Sequence, residues 1–427
     1  MGHFIQNPRT SCALGGALAT LCSIERAIPI FHAGPGCGLQ TMAGQFGQSG
    51  GKGFGYVGGQ GVPSTNMFEK EVIFGGSQRL TETISGSLEV MDGDLFVVLT
   101  GCTAGIIGDD VQGVVDQFKD SGVPIIYVET SGFKGDTYYG YEAVLNTLTG
   151  RLAEPAPKET TTVNLLGIVP TQDIFWEGDF EELLRILRKL GLKVNTFFTE
   201  HQGLETIKRS SEAALNLILS PWLLEEFAGK YQQQFGIETF RYPGLPIGPT
   251  ATSDFIRKLG VRLSLDPKLV DQVIKEEEDY VYSYIEKIIG SLTRYRFIIV
   301  GDTNTVLGLT RFLVNDYGQI PLCAIITDEV LEKYRAAIEQ EITTLEFARK
   351  PQVIFENDQW AIRERIRFWR EEATLILGSD YEKEIGAELG ILTNVVAFPT
   401  TERLVINRGY AGYRGCLTFL EDLYDNN

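Results

Sequence analysis

The 427-residue chain carries 56 acidic against 38 basic residues, a formal net charge of −18. That balance excludes the concentrated basic face that nucleic acid needs. No run approaches the roughly 18 uninterrupted apolar residues of a membrane span. With 43% hydrophobic and 22% charged residues, the composition is that of an ordinary soluble protein, and the length predicts two or three domains.

Six cysteines in so long a chain do not make a secreted disulfide framework. The start, Met1-Gly2-His3-Phe4-Ile5-Gln6, has no basic-then-apolar signal pattern, so the expected compartment is the cytoplasm. There, cysteines at strand ends read as metal ligands, reactive thiols or core filler.

In chain order, Asn7-Pro8-Arg9-Thr10-Ser11 leads to Cys12, where a helix begins. Leu14, Ala17, Leu18 and Leu21 keep helical spacing, with Cys22 as a core residue. The apolar run 27–32 reads as a strand and meets the glycine/proline turn 33–38. Glycines on both sides of Cys37 strip away side chains, so something bulky can approach the backbone there. The stretch 44–61 is too rich in glycine to assign. The segment 66–76 leads into a helical stretch that runs to about Met91, followed by a strand at 95–100 and directly by Cys102. A helix over 109–119 and a strand over 123–128 come next, ending near Ser131.

The polar, proline-broken run 154–162 marks a boundary. Beyond it, strands are expected at 163–169, 193–198 and 213–219 and a helix at 179–190. A long helix from Asp266 to about Ile289 places Val270, Val273, Ile274, Val281, Tyr284, Ile285 and Ile288 on one face. The acidic run 276–279 inside it reads as a solvated face. A third unit begins at 296–302, with strands at 322–326, 352–355 and 374–377. Its helix over 358–373 uses Trp360 and Trp369 for packing. Such alternation points to an α/β fold with parallel sheets covered by helices, in units 1–158, 159–293 and 294–427.

Two of the three glycine-flanked cysteines, Cys37 and Cys102, fall just beyond a strand's C-terminal end, where doubly wound sheets collect ligands. Cys12 is placed to converge on the same end. Thiolates are the usual ligands of iron–sulfur clusters, and each common cluster asks for about four. Three per chain therefore implies another ligating residue or a contribution from a second chain. Buried structural cysteine is the bland alternative. A zinc site with His32 as fourth ligand is another, although paired C-x-x-C knuckles are absent. Cys323 and Cys416 read as inert. The segment 53–58 matches G-x-G-x-x-G by letter but follows no strand, and Gly51-Lys52-Gly53 lacks the flanking residues of a phosphate loop, so nucleotide binding is rejected. None of the histidines (His3, His32, His201) has a catalytic partner by spacing.

The pieces Asn7-Pro8 with Cys12, His32 to Cys37, Glu69 to Gly76, Cys102 to Asp110, Leu245 to Thr252 and Gly409 to Gly415 resemble a nitrogenase component 1 chain, and they spread over nearly the whole length. The resemblance implies three doubly wound domains around a central cleft. It also implies a homologous α-type and β-type pair, an α2β2 heterotetramer, that shares a P-cluster (8Fe–7S) or a smaller 4Fe–4S cluster at its interface. Cys12, Cys37 and Cys102 match the family's cluster cysteines, and Ser131 falls where β-type chains carry a serine that ligates the oxidised cluster.

The α-type chain carries the catalytic cofactor on a mid-chain cysteine and a late histidine. The segment 214–220 has no cysteine and no histidine follows His201, so the chain resembles the β-type partner. Its implied role is to relay electrons from an ATP-dependent homodimeric iron protein. The loop Ala33-Gly34-Pro35-Gly36 departs from the β-type serine and glutamine before the cysteine, and 66–76 leans toward the α-type pattern. These departures favour a nitrogenase-like reductase, such as the methylthio-alkane reductases that cleave C–S bonds, over dinitrogen reduction. A cofactor-assembly scaffold of the same family is a further alternative.

Overall fold

A computed structural model of the chain describes residues 5–50, 61–288, 290, 293–345 and 349–425. Within them, the strands form three all-parallel sheets. The first joins β1 (Ala27–His32), β2 (Leu95–Thr100) and β3 (Ile125–Val128) in chain order. Every residue of β1 and β2 is buried. Their continuous apolar runs are what a parallel strand needs when both of its faces are covered. Ala27, Phe31, Leu95, Val97 and Leu99 pack with the helices Ala13–Cys22 and Thr137–Leu152. Ile28, Ile30, Phe96 and Val98 face Leu80, Ile84, Val111 and Val114 on the other side.

The second sheet runs β5-β4-β6-β7, from β4 (Glu159–Leu166), β5 (Lys193–Asn195), β6 (Ala213–Leu219) and β7 (Glu238–Tyr242). The third runs β10-β9-β8-β11-β12, from β8 (Arg296–Gly301), β9 (Ile320–Ile326), β10 (Gln352–Phe355), β11 (Leu375–Gly378) and β12 (Leu392–Val395). In both orders the later strands add on the opposite side of the first strand, β4 or β8, as in doubly wound sheets. The first sheet has no reversal among the described residues. A single apolar core links all three, running from Leu14 to Leu423.

Several expectations need correction. The lead-in 66–76 holds a short helix of its own, Glu69–Phe74, set off from the expected helix Ser77–Val90 at Gly75 with φ +89°, a conformation that glycine adopts without steric cost. The polar run before 163 is partly β4 itself, which begins at Glu159. The acidic run on the long helix Pro267–Ile288 is not wholly solvated. Glu277 is buried and accepts hydrogen bonds from Arg185 Nη1 (2.7 Å) and Lys189 Nζ (2.6 Å). Tyr284 and Ile288, expected on the buried face, are exposed. Trp369 packs inward but Trp360 is exposed. The segment 53–58 lies outside the described residues. No helix among those described is long and apolar enough to cross a membrane.

Candidate metal centre

Three short segments bring the cysteines together. Cys12 caps the helix Ala13–Cys22. It is held in place by an antiparallel bridge to Asp136, by Ala13 N–H donating to Gly135 O (2.9 Å) and by Ser11 N–H donating to Thr137 Oγ1 (2.8 Å). That helix and Thr137–Leu152 approach closely because glycines stand at the crossing. A Cβ at Gly16 would lie 2.2 Å from Thr137 O, and one at Gly140 would lie 2.2 Å from Ala13 O. Upstream, the buried Arg9 guanidinium binds Glu382, Gln359 and Ser379, tying the Cys12 segment to the third sheet's helices.

Cys37 sits in the helix Pro35–Thr41, where proline at the first position suits a helix start. Thr41 Oγ1 donates to the Cys37 carbonyl (2.7 Å). Cys102 opens the helix Cys102–Ile107 directly after β2. Gly101 N–H donates to His32 O (3.0 Å), which joins the two strand ends that present Cys37 and Cys102.

All three thiols line one cavity of about 600 Å³, together with Thr10, Ser11, Thr41, Gly132 and Tyr381 among others. A Cβ at Gly132 would lie 3.1 Å from Cys102 Sγ and 3.4 Å from Cys12 Sγ, so these two sulfurs converge on space that only glycine leaves free. None of the three is in a disulfide; Cys12 is exposed and the other two are partly so. The Cys37 thiol is pushed up by burial, and further by the neighbouring Cys102 and Cys12. A thiol held protonated in this way suits a cationic centre that takes its proton's place. By contrast, Cys22 and Cys323 are buried and pushed up to about 12, and Cys416 is raised well above its ordinary value, as inert core thiols should be.

His32 is not a ligand in waiting. It is fully buried, with Nε2 2.9 Å from Asp109 Oδ2 and Nδ1 3.3 Å from Thr65 Oγ1. Asp109 also accepts from Gly76 N–H (2.9 Å), while its neighbour Asp110 caps the next helix through Gly113 N–H (2.9 Å). With both ring nitrogens engaged, His32 is not placed to be the fourth ligand of a zinc site. Among the described residues no three His, Cys, Asp or Glu side chains form a single-ion site; the three thiols share the wall of the larger cavity. Ser131 is buried, with its hydroxyl donating to Gly101 O (3.4 Å) and lying against Gly105. It supports the turn that carries Cys102 and does not line the cavity, whereas its neighbour Gly132 does. Sequence reading missed Arg9 and Gly132; for Arg9 no local signal exists, because its partner Glu382 is 373 residues away.

The architecture is thus a parallel-sheet α/β chain that gathers three thiols beside the strand ends of its first sheet. The family model for nitrogenase component 1 type oxidoreductases matches residues 12–426, and the chain belongs to that family. It is 23% identical over 450 residues to a nitrogenase molybdenum-iron protein beta chain of Sinorhizobium fredii, covering 99% of this chain and 83% of that relative. Identity to the Azotobacter vinelandii beta chain is 21%, covering 98% and 83%. The nitrogenase iron-molybdenum cofactor biosynthesis protein NifE of Methanococcus maripaludis is 24% identical over 326 residues, covering 74% and 64%. A solved structure of nitrogenase Cp1 superposes over 100% of this chain and 94% of its own, with TM-score 0.83 and 19% identity.

Proposed function

We propose that this chain is the β-type, electron-relaying subunit of a nitrogenase-like two-component reductase. In this reading Cys12, Cys37 and Cys102 supply one chain's share of the thiolates around an iron–sulfur cluster, and a homologous α-type subunit supplies the rest. The observation that carries the proposal is the convergence of three unpaired thiols on one cavity of about 600 Å³. The donor set fits: soft sulfur ligands, too few for a closed cluster from this chain alone. Exposed apolar side chains on the same segments as the thiols, Leu39, Ile106 and Phe133, support a second chain closing the site.

When bound, such a cluster, of P-cluster type or a smaller 4Fe–4S, supplies one-electron storage and transfer. The chain's own part is to fix the three sulfurs, to keep position 132 free of a side chain, and to release the Cys37 proton on loading. Ser131 holds the Cys102 turn. The units 1–158, 159–293 and 294–427 follow the three sheets, and the iron protein that delivers electrons is the remaining partner, with the assembly an α2β2 heterotetramer in the cytoplasm.

A relay is favoured over an assembly scaffold by the packing where the three sheets meet. The cavity there is only about 10 Å³, too small for a cofactor inside this chain. The substrate is then set by the α-type neighbour, and both methylthio-alkane C–S cleavage and dinitrogen reduction are compatible with this subunit. The test is ATP-dependent reduction by the complex with its iron protein, using each substrate. Expected is turnover of one of them, together with iron and sulfide that are lost in Cys37→Ala. A colourless, iron-free complex that folds normally overturns the proposal.

A further inference from the structure

The same small cavity has a composition that the relay role does not use. Loops beyond the C-terminal ends of β4, β6, β8 and β9 close around it, and the β4/β6 pair is the second sheet's point of reversal, where ligands collect in such sheets. Its wall includes the carboxylates of Asp173, Asp302 and Asp328, the amides of Gln172 and Asn304, and the Trp222 indole; no lysine, arginine or histidine lines it. Its volume of about 10 Å³ holds about one water-sized body.

Both amides are oriented by their donor ends. Asn304 Nδ2 donates to Gly167 O and Leu219 O, each at 2.9 Å, and Gln172 Nε2 donates to Arg9 O at 2.9 Å. Their oxygens, Asn304 Oδ1 and Gln172 Oε1, are left buried with no hydrogen-bond partner, on residues only 7% and 5% exposed. Buried acceptors without donors are rare and call for a ligand. Asp328 is already spanned by Thr303 N–H (2.9 Å), Thr303 Oγ1 (2.7 Å) and Trp222 Nε1 (3.0 Å), an arrangement that fixes its carboxylate as second-sphere bonds fix metal ligands. Asp302 is fixed in the same way, its Oδ1 accepting from Asn304 N–H (3.0 Å) and Thr305 N–H (3.1 Å) and its Oδ2 from Thr305 Oγ1 (2.7 Å).

We infer that this cavity binds one oxygen-coordinated cation of the calcium class, held by Asp302, Asp328 and the amide oxygens of Gln172 and Asn304. Hard carboxylate and amide oxygens suit calcium, whereas magnesium keeps waters for which there is no room, and zinc or iron would ask for nitrogen or sulfur. Two carboxylates balance the charge of a divalent ion. The ion pins the second sheet's loops to the third's, independently of what the thiols hold.

The test uses the full-length chain stripped of divalent ions and titrated with terbium, a luminescent calcium substitute, exciting through tryptophan. Expected is saturable emission at one ion per chain, displaced by calcium. In Asp302→Asn, which keeps the helix cap because asparagine caps as well as aspartate, terbium affinity falls at least tenfold. In Trp222→Phe the emission is lost, while calcium still raises the unfolding temperature. Emission that is unchanged in both variants, or displacement by magnesium but not calcium, overturns the inference. So does the absence of saturable emission, which leaves one water and a proton on Asp328 as the occupants.

Discussion

Two places in this molecule collect polar groups at the ends of parallel strands, and they are opposites. At the first sheet, short glycine-bounded turns leave a cavity of about 600 Å³ lined by partly exposed thiols. Where the second and third sheets meet, side chains close the space to about 10 Å³ and line it with oxygen. The same fold position therefore leaves a large, sulfur-lined space in one case and a small, oxygen-lined one in the other. What differs is local: glycine at 101 and 132 against Trp222, Asn304 and Gln172. A Cβ at Gly101 would already meet Ala33 Cβ at 2.6 Å and Cys37 Sγ at 3.7 Å.

The largest effect that sharpens this contrast is loss of a thiol. Cys37→Ala is expected to remove most iron and sulfide from the purified complex and to lower reductase activity more than tenfold. Metal analysis checks this beside a circular dichroism spectrum that stays unchanged. Next comes the anchor of the thiol segment. Arg9→Met leaves Glu382 buried without its cation, and the expected loss is about 3–5 kcal/mol of stability, read from the denaturant midpoint. Adding Glu382→Gln to that variant is expected to recover part of it, since the stranded charge is then gone.

Gly132→Ala probes the free space directly. The added methyl would stand 3.1 Å from Cys102 Sγ, so iron content is expected to fall severalfold, with a stability change of less than about 1 kcal/mol for a substitution at the cavity wall. An unchanged iron content with an unaltered electron paramagnetic resonance spectrum would separate Gly132 from the site.

The smallest effect belongs to the oxygen-lined junction. Asp328 has its folded carboxyl raised from 3.8 to about 7. The folded chain therefore binds more protons than the unfolded one between these values, and stability from this group falls as pH rises through that window. In chelator, the pH dependence of the unfolding midpoint between pH 4 and 7 is expected to be shallower in Asp328→Asn than in the parent chain. An identical slope would place the proton elsewhere.

Much of this was legible in the residues. The largely apolar runs at 27–32, 95–100 and 213–219 are the strands β1, β2 and β6 as found, because a strand buried on both faces has few polar positions to blur its extent. Two edge strands were not legible: β7, Glu-Thr-Phe-Arg-Tyr, is half polar, and β12 has only four residues. The three thiols were legible because glycine and strand ends mark them within a few residues. Invisible were features made by distance in the chain: the pairing of Arg9 with Glu382, and the unpaired oxygens of Gln172 and Asn304, which face one cavity only after two sheets have docked. Ser131 illustrates the limit from the other side: its place near the end of a strand was legible, but the direction of its hydroxyl, toward the Gly101 carbonyl, was not.

The most direct test of the central claim is an anomalous-difference map at the iron edge, from crystals of this chain with its α-type partner. The account expects iron within bonding distance of Cys12, Cys37 and Cys102 together, with further ligands from the neighbouring subunit. Iron bound elsewhere, or three thiols with no iron beside them, would contradict it.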